Sequence, residues 1–309
     1  MSDILSITVP LFILIGLGYA AVRSGLFGAP EMRALGSFVL YVALPALIVR
    51  AFSQRSLGEM VVPNYLLAYG AGSLAVFVAG LGVMRLLSQP AAAGAIAAMG
   101  MSCSNTGYFG YPLAALVIGP GAAAAMAMNM LVENLIVIPL ALALAEGASS
   151  GAEGWRAAMR DTATRLLRSP LILSLAAGVL LSVSGVHLPL PLARSVDMLA
   201  VASGPLALFV IGGLLHGTEV RGMAGPLALI VTGKLVLHPL AVALALQAFP
   251  VAEPSLAIAE VLMAGVPMIA IFPVLGQRFG QARLCAAALL CAVVGAFATL
   301  TALLAWLRP

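Results

Sequence analysis

The chain has 309 residues, 62% of them hydrophobic and only 8% charged, with a formal net charge of +4 and a mean hydropathy of +1.12. Soluble domains carry about 25% charged residues, so this composition excludes an ordinary soluble fold and places the chain among polytopic helical membrane proteins. Barrel strands would alternate polar and apolar residues over roughly ten positions, and no stretch does so; the basic balance reads as membrane orientation and not as nucleic-acid binding.

A bilayer core takes about 20 apolar residues per helix. That ruler places ten spans near residues 4–22, 34–52, 64–87, 92–117, 121–145, 170–186, 195–216, 224–248, 255–275 and 283–307. The first stretch, MSDILSITVPLFILIGLGYAAV, lacks a basic leader and is read as a span, not a cleaved signal. Cys103, Cys285 and Cys291 all fall in apolar runs and carry no metal or disulfide pattern. The longest polar connection is 146–169, between the fifth and sixth spans.

Loop arginines set the orientation. With the N-terminus outside, Arg23, Arg33, Arg85, Arg156, Arg160, Arg165, Arg168, Arg221, Arg278 and Arg283 face the cytoplasm. The outer side then holds Arg50, Arg55, Arg194 and Arg308, and Lys234 is inside a span. This distribution favours both termini outside, with the 146–169 loop in the cytoplasm.

The chain matches itself at an offset of 160: Pro10-Leu11 with Pro170-Leu171, Gly18 with Gly178, Ser24-Gly25 with Ser184-Gly185, Pro45 with Pro205. Five spans per copy is an odd number, so the second copy would be inverted. The expected fold is therefore all-α, with ten transmembrane helices arranged as two inverted five-helix repeats, 1–145 and 170–309. Inverted repeats are common in secondary transporters, which bind substrate near the midplane at discontinuous helices.

The fourth span is interrupted by MSCSNTGYFGYP, residues 101–112, and the ninth by AGVPMIAIFP, residues 264–273. Under the offset, Asn105 corresponds to Gly265. Pro112, Pro267 and Pro273 each remove a backbone donor and free carbonyls, while Gly107, Gly110 and Gly265 allow a bend. Unpaired backbone groups cost several kcal/mol each in hydrocarbon, so two such breaks would persist by meeting. Their half-helix N-termini would suit an anion. Asn105, whose amide both donates and accepts, is the natural side chain to orient it. Thr106, Ser104 and Ser102 are lesser candidates.

Buried charge tells a second story. Lys234 is the only lysine, with His238 one turn later; Glu133 is followed by Asn134 and preceded by Asn129; Glu260 lies in the first half of the ninth span. A charge at the bilayer centre costs roughly 2.5–3.5 kcal/mol on insertion scales, so such residues face the bundle interior. The expectation is that Lys234 meets negative helix ends and Glu133 positive ones. Proton coupling through Glu133 and plain dipole compensation both fit, and His238 reads as a packing histidine. Three dispersed histidines, no H-E-x-x-H and no paired aspartates argue against an enzyme, and no cofactor or metal is expected.

Asn105-Thr106-x3-Gly110-x-Pro112-Leu113 resembles the N-T-x3-G-x-P-L signature in the fourth span of the auxin efflux carrier family. VPLFILIGLGYAAVRSGLF and FVLYVALPALIVRAF agree in the first two spans, and VPMIAIFP with Phe279-Gly280 agrees less closely in the ninth. The resemblance covers essentially the whole chain. It implies a scaffold of helices 1, 2, 6 and 7 that often dimerises, and a transport domain of helices 3–5 and 8–10 crossing at helices 4 and 9. It further implies elevator-type transport of organic anions such as auxin, malonate or malate, and a compact bacterial carrier of small carboxylates in the inner membrane fits best; separately, proton or sodium is the candidate coupling ion. Carried over, the crossover and anion-binding role falls on Asn105, Pro112 and Pro267, and the two interrupted stretches add Thr106, Gly107, Gly265 and Val266 as candidate substrate-binding residues. The buried polar residues described above, Glu133, Asn134, Lys234, His238 and Glu260, are the candidates for coupling or dipole compensation. Plant carriers can carry an asparagine at the ninth-span crossing where this chain has Gly265-Val266-Pro267, so an indole-sized substrate is not implied. A cation/proton antiporter, or a sodium-coupled anion symporter of the bile-acid-carrier type, is the alternative.

Overall fold

A computed structural model describes residues 2–54, 61–148, 168–184, 188–218 and 223–307, together with 160, 164 and 220. Arg55, Arg156, Arg165, Arg221, Arg308 and His187, and most of the 146–169 connection, lie outside the described residues. Among the described residues there is no β-strand.

In chain order the helices are α1 (Ser2–Arg23), α2 (Ala29–Phe38), α3 (Leu44–Gln54), α4 (Pro63–Leu86), α5 (Ala91–Ser102), α6 (Tyr111–Ile118), α7 (Ala122–Val132) and α8 (138–148). There follow α9 (Pro170–Ser184), α10 (Leu190–Leu215), α11 (Ala224–Thr232), α12 (His238–Ala248), α13 (Pro254–Ala264), α14 (Phe272–Gln277) and α15 (Ala282–Leu307). Seven continuous helical stretches are long and apolar enough to cross a membrane, and Ala91–Ser102, Pro170–Ser184 and Pro254–Ala264 are shorter apolar helices.

Four π turns join consecutive helices: Val39–Ala43, Thr106–Gly110, Glu133–Val137 and Gly233–Leu237. Each is followed, two residues after its end, by a proline: Pro45, Pro112, Pro139 and Pro239. The cause is local. Proline offers no N–H and its ring crowds the carbonyl four residues back, so the ladder slips to a wider register just before it. The amides of Leu44, Tyr111, Ile138 and His238 accordingly reach back five residues, to Val39, Thr106, Glu133 and Gly233. Pro10 and Pro205 lie inside α1 and α10 without such a turn.

Several boundaries differ from the sequence reading. The second helix begins at Ala29 and not near 34, because Pro30 suits a first turn and Glu31 reaches back to accept the Gly28 N–H at 2.8 Å. The seventh begins at Leu190 behind Pro189. Pro273 opens α14 instead of kinking a continuous ninth helix, so the interruption there spans 265–271. Gly119, with φ +66°, ends α6; that left-handed conformation disfavours any side chain, and the chain turns there to pack α7 on α6.

Packing falls into two groups. α1, α2, α3, α9 and α10 pack on one another: α1 on α10, α9 on α3, and α10 on α2 and α3. The second group joins α4 to α5 and α12, α12 to α13, and α15 to α11 and α14. In the first group α1 and α10 approach to backbone contact. A Cβ at Gly212 would fall on the Ile15 carbonyl and one at Gly18 on the Phe209 carbonyl. Small residues of this kind let membrane helices approach closely.

Burial is reversed relative to a soluble protein. Outward-facing positions are apolar, as at Ile13, Val78, Leu180 and Val294, while Ser104, Asn105, Thr106, Asn129, Glu133, Lys234, His238 and Glu260 are buried.

Candidate functional site

The fourth and ninth interruptions meet. α5 ends where the Cys103 amide bonds the Met99 carbonyl, and the chain then extends over residues 103–105. α13 ends at Gly265, whose amide bonds back to Val261 and Leu262. The two extended stretches run antiparallel, with Ser104 bridged to Met268 and the Asn105 N–H donating to the Pro267 carbonyl at 2.8 Å. Each break thus supplies partners for the other, as backbone buried away from water requires. The contact is Asn105 with Pro267, two residues on from the 160-offset partner Gly265.

Asn105 caps the second half of the fourth segment. Its Oδ1 accepts from the Tyr108 N–H at 3.3 Å, and its carbonyl accepts from Phe109 and Gly110 at 3.0 and 2.9 Å. That use of Oδ1 leaves Nδ2 buried without a hydrogen-bond partner. A buried amide N–H left unpaired costs about 1–3 kcal/mol, so this atom is a donor in want of an acceptor.

Glu133 stands at the first position of its π turn and is directed into the fourth-segment break. Oε1 accepts the Ser104 N–H at 2.6 Å and the Tyr69 hydroxyl at 2.7 Å, and Oε2 accepts the Thr106 hydroxyl at 3.4 Å. Lys234 occupies the second position of another π turn and serves the other break. Its Nζ donates to the Ala264 carbonyl at 2.7 Å, to Ser104 Oγ at 2.6 Å and to His238 Nδ1 at 2.7 Å, which uses all three ammonium protons. With Nδ1 accepting, the imidazole carries its proton on Nε2 and donates to Ser73 Oγ at 2.9 Å.

Ser104 links the two charges, taking Lys234 on its hydroxyl and giving its amide to Glu133. Tyr69 Oη lies 3.1 Å from Ser104 Oγ and has one proton, which the nearer carboxylate takes. The serine hydroxyl then donates to the phenol oxygen. The result is an unbroken chain Lys234–Ser104–Tyr69–Glu133 with every proton placed. Lys234 sits on the C-terminal end of α13, where helix carbonyls present partial negative charge.

The other sequence candidates are placed as follows. Gly107 lies against Leu44, Val266 is buried, and Pro112 opens α6. Asn134 turns away from the break and donates to the Met130 carbonyl of its own helix at 2.8 Å. Ser102 likewise bonds Ala98. Glu260 is buried on α13, one turn before the break, and neither carboxylate oxygen has a partner. Sequence reasoning passed over Tyr65, Tyr69 and Ser73; their i, i+4, i+8 spacing in YLLAYGAGS, which puts them on one helix face, was the available signal.

Tyr108, inside the motif, donates its hydroxyl to the Gly36 carbonyl of α2 at 2.8 Å and so ties the crossing to the first packing group. Arg50 and Asp197 form an ion pair at 3.0 Å between α3 and α10, within that group.

A family model described as "Membrane transport protein" matches residues 3–304. A protein of Rhizobium meliloti named "Putative malonate transporter" is 31% identical over 311 residues, covering 100% of this chain and 97% of its own length. Proteins of Escherichia coli K12 and Shigella flexneri, each named "Uncharacterized transporter YfdV", are 24% identical over 240 residues, 76% of this chain and 76% of theirs.

Proposed function

The chain belongs to the membrane transport protein family, that of the auxin efflux carriers, and is an integral membrane protein; on that premise we propose that it carries a small carboxylate such as malonate or malate, binding it at the crossing of the two interrupted helices. The observation that carries this reading is the Asn105 side chain. It is buried in the extended stretch bonded to Pro267, with its Oδ1 engaged and its Nδ2 unpaired. An unsatisfied donor beside a half-helix N-terminus fits a carboxylate oxygen. Thr106, Gly107, Pro112, Gly265, Val266 and Pro267 shape the place, and the Rhizobium meliloti relative's name favours malonate as the first anion to try.

The fold behind this reading is ten spans in two inverted five-helix repeats, 1–145 and 170–309. The packing group α1–α3 with α9 and α10 would be the scaffold of helices 1, 2, 6 and 7. The remainder would be the transport domain of helices 3–5 and 8–10. The division of contacts supports an elevator-type movement of one group along the other. The protein acts as a homodimer in a bacterial inner membrane with both termini outside, and as a carrier, not an enzyme.

The test is uptake of labelled malonate into proteoliposomes, with malate, an indole acid and unlabelled competitors alongside. Uptake by the wild type that is lost in Asn105→Ala supports the reading. Proton movement driven by a cation gradient, with no response to any carboxylate, would transfer it to a cation/proton antiporter.

A further inference from the structure

Glu260 is the buried charge that the crossing does not use. Lys234, Glu133, His238 and Tyr69 are all bonded to one another or to the break. Glu260 is fully buried on α13, and both carboxylate oxygens lack a partner. Against the same helix, on α7, Asn129 is also fully buried; its Nδ2 donates to Met263 Sδ, one turn along from Glu260, and its Oδ1 is unpaired. The third member is Tyr65 of α4, also fully buried, whose hydroxyl donates to the Ala125 carbonyl of α7 at 3.5 Å.

The charged and titratable groups on the elements packed against α13 do not neutralise it. α4 presents Tyr65 and Tyr69, the latter donating to Glu133. The fourth segment presents Tyr108, bonded to Gly36, and Tyr111. The segment beyond α7 presents Glu133, of like charge. The eighth segment presents Lys234, its three protons already placed, and His238. α15 carries Arg283, Cys285 and Cys291, with Cys285 against Gly276, and none of them bonds a Glu260 oxygen. An ionised carboxylate here would be buried with neither counter-charge nor donor, which a low-dielectric interior does not sustain. One added proton resolves the problem, because a carboxylic acid becomes a donor and Asn129 Oδ1 is the acceptor left over.

We propose that Glu260, with Asn129 as its partner, is the site that takes up and releases the coupling proton of the transport cycle. The proposal rests on the carrier reading above. The step is simple in its balance: one proton from the water on one side joins the carboxylate, making it neutral, and leaves to the other side when the carboxylate re-forms. Glu133 is the less suited carboxylate, since three donors already hold it in place. Met263, bonded to Asn129, also packs over Gly110 of the motif, where a Cβ would sit 3.4 Å from it.

The experiment has two readouts on the purified full-length protein. The first is the infrared difference spectrum of wild type against Glu260→Gln at neutral pH, in water and deuterium oxide. The C=O stretch of a protonated, deuterium-sensitive carboxylic acid is expected in the wild type and absent from the variant. Its absence from the wild type overturns the proton site. Gln is isosteric with the neutral acid, so the variant is expected to melt at the wild-type temperature.

The second readout is labelled malonate in proteoliposomes. Glu260→Gln is expected to keep malonate-for-malonate exchange while losing all stimulation of uptake by an imposed proton gradient. Stimulation undiminished in the variant, or driven by a sodium gradient instead, overturns the proposal. A wild type that exchanges no dicarboxylate overturns the carrier reading and the coupling with it; the acid band then still decides whether Glu260 binds a proton.

Discussion

The backbone amide of Ser104 donates to the Glu133 carboxylate at 2.6 Å, so a side chain after α7 holds the unwound stretch after α5. That one contact replaces a hydrogen bond the fourth helix gave up when it broke, and it does so with a charge-assisted bond. Ser104 then passes its hydroxyl between Lys234 and Tyr69, which ties the third, fifth and eighth predicted spans to the same point.

Removing Glu133 strands three donors and leaves the lysine uncompensated. Glu133→Ala is expected to lower stability by about 3–5 kcal/mol, the usual range for breaking a buried charge pair. Glu133→Gln keeps one acceptor oxygen and should lose less. Thermal unfolding in detergent measures both, and an Ala variant that melts with the wild type would remove Glu133 from the support of the break.

Lys234→Met deletes three hydrogen bonds, one of them to the buried C-terminal carbonyl of α13. The charges of Lys234 and Glu133 act through Ser104, so their losses should not add. A double-mutant cycle of Lys234→Met with Glu133→Gln is expected to give a coupling of roughly 0.5–3 kcal/mol. Strict additivity would mean the two residues serve the breaks independently.

The α1–α10 contact leaves no space at Gly212, where a Cβ would fall on the Ile15 carbonyl. Gly212→Ala must push two backbones apart, at a cost of about 1–3 kcal/mol. Gly16→Ala is the control, since nothing lies within 4 Å of a Cβ there. Equal melting temperatures for the two variants would contradict the close packing.

Tyr108 donates to Gly36 of the first packing group, a bond that the proposed elevator movement would have to break. Tyr108→Phe removes about 1 kcal/mol from the resting position, and a rate limited by that step should rise about fivefold. Single-turnover malonate exchange measures it. An unchanged rate with normal binding would place the slow step elsewhere.

Much of the local structure was legible along the chain. The interruptions at 101–112 and 264–273 show as Gly, Pro, Asn and Ser in otherwise apolar spans. Pro45, Pro112, Pro139 and Pro239 mark where the π turns fall, but Pro10 and Pro205 sit inside helices without one, so proline permits the wider register and does not alone impose it. Asn134 was the misleading neighbour: beside Glu133 in sequence it looked like part of the same site, yet its amide bonds Met130 on its own helix. Adjacent residues on a helix point in different directions, and only packing says which direction is the interior.

The sequence by itself determined that this is a helical membrane chain, where its main apolar stretches lie, that two of them are interrupted, and which few polar side chains must be buried. Hydropathy and proline geometry are local, and each residue carries that information alone. Only the tertiary structure decided partners. It joined Asn105 to Pro267 and not to Gly265, gave Glu133 three donors, used up all three protons of Lys234, and left both oxygens of Glu260 and the Asn129 Oδ1 without a hydrogen-bond partner. Hydrogen bonds and charge pairs depend on distances of a few tenths of an ångström between segments far apart in the chain, and those distances exist only once the helices have packed.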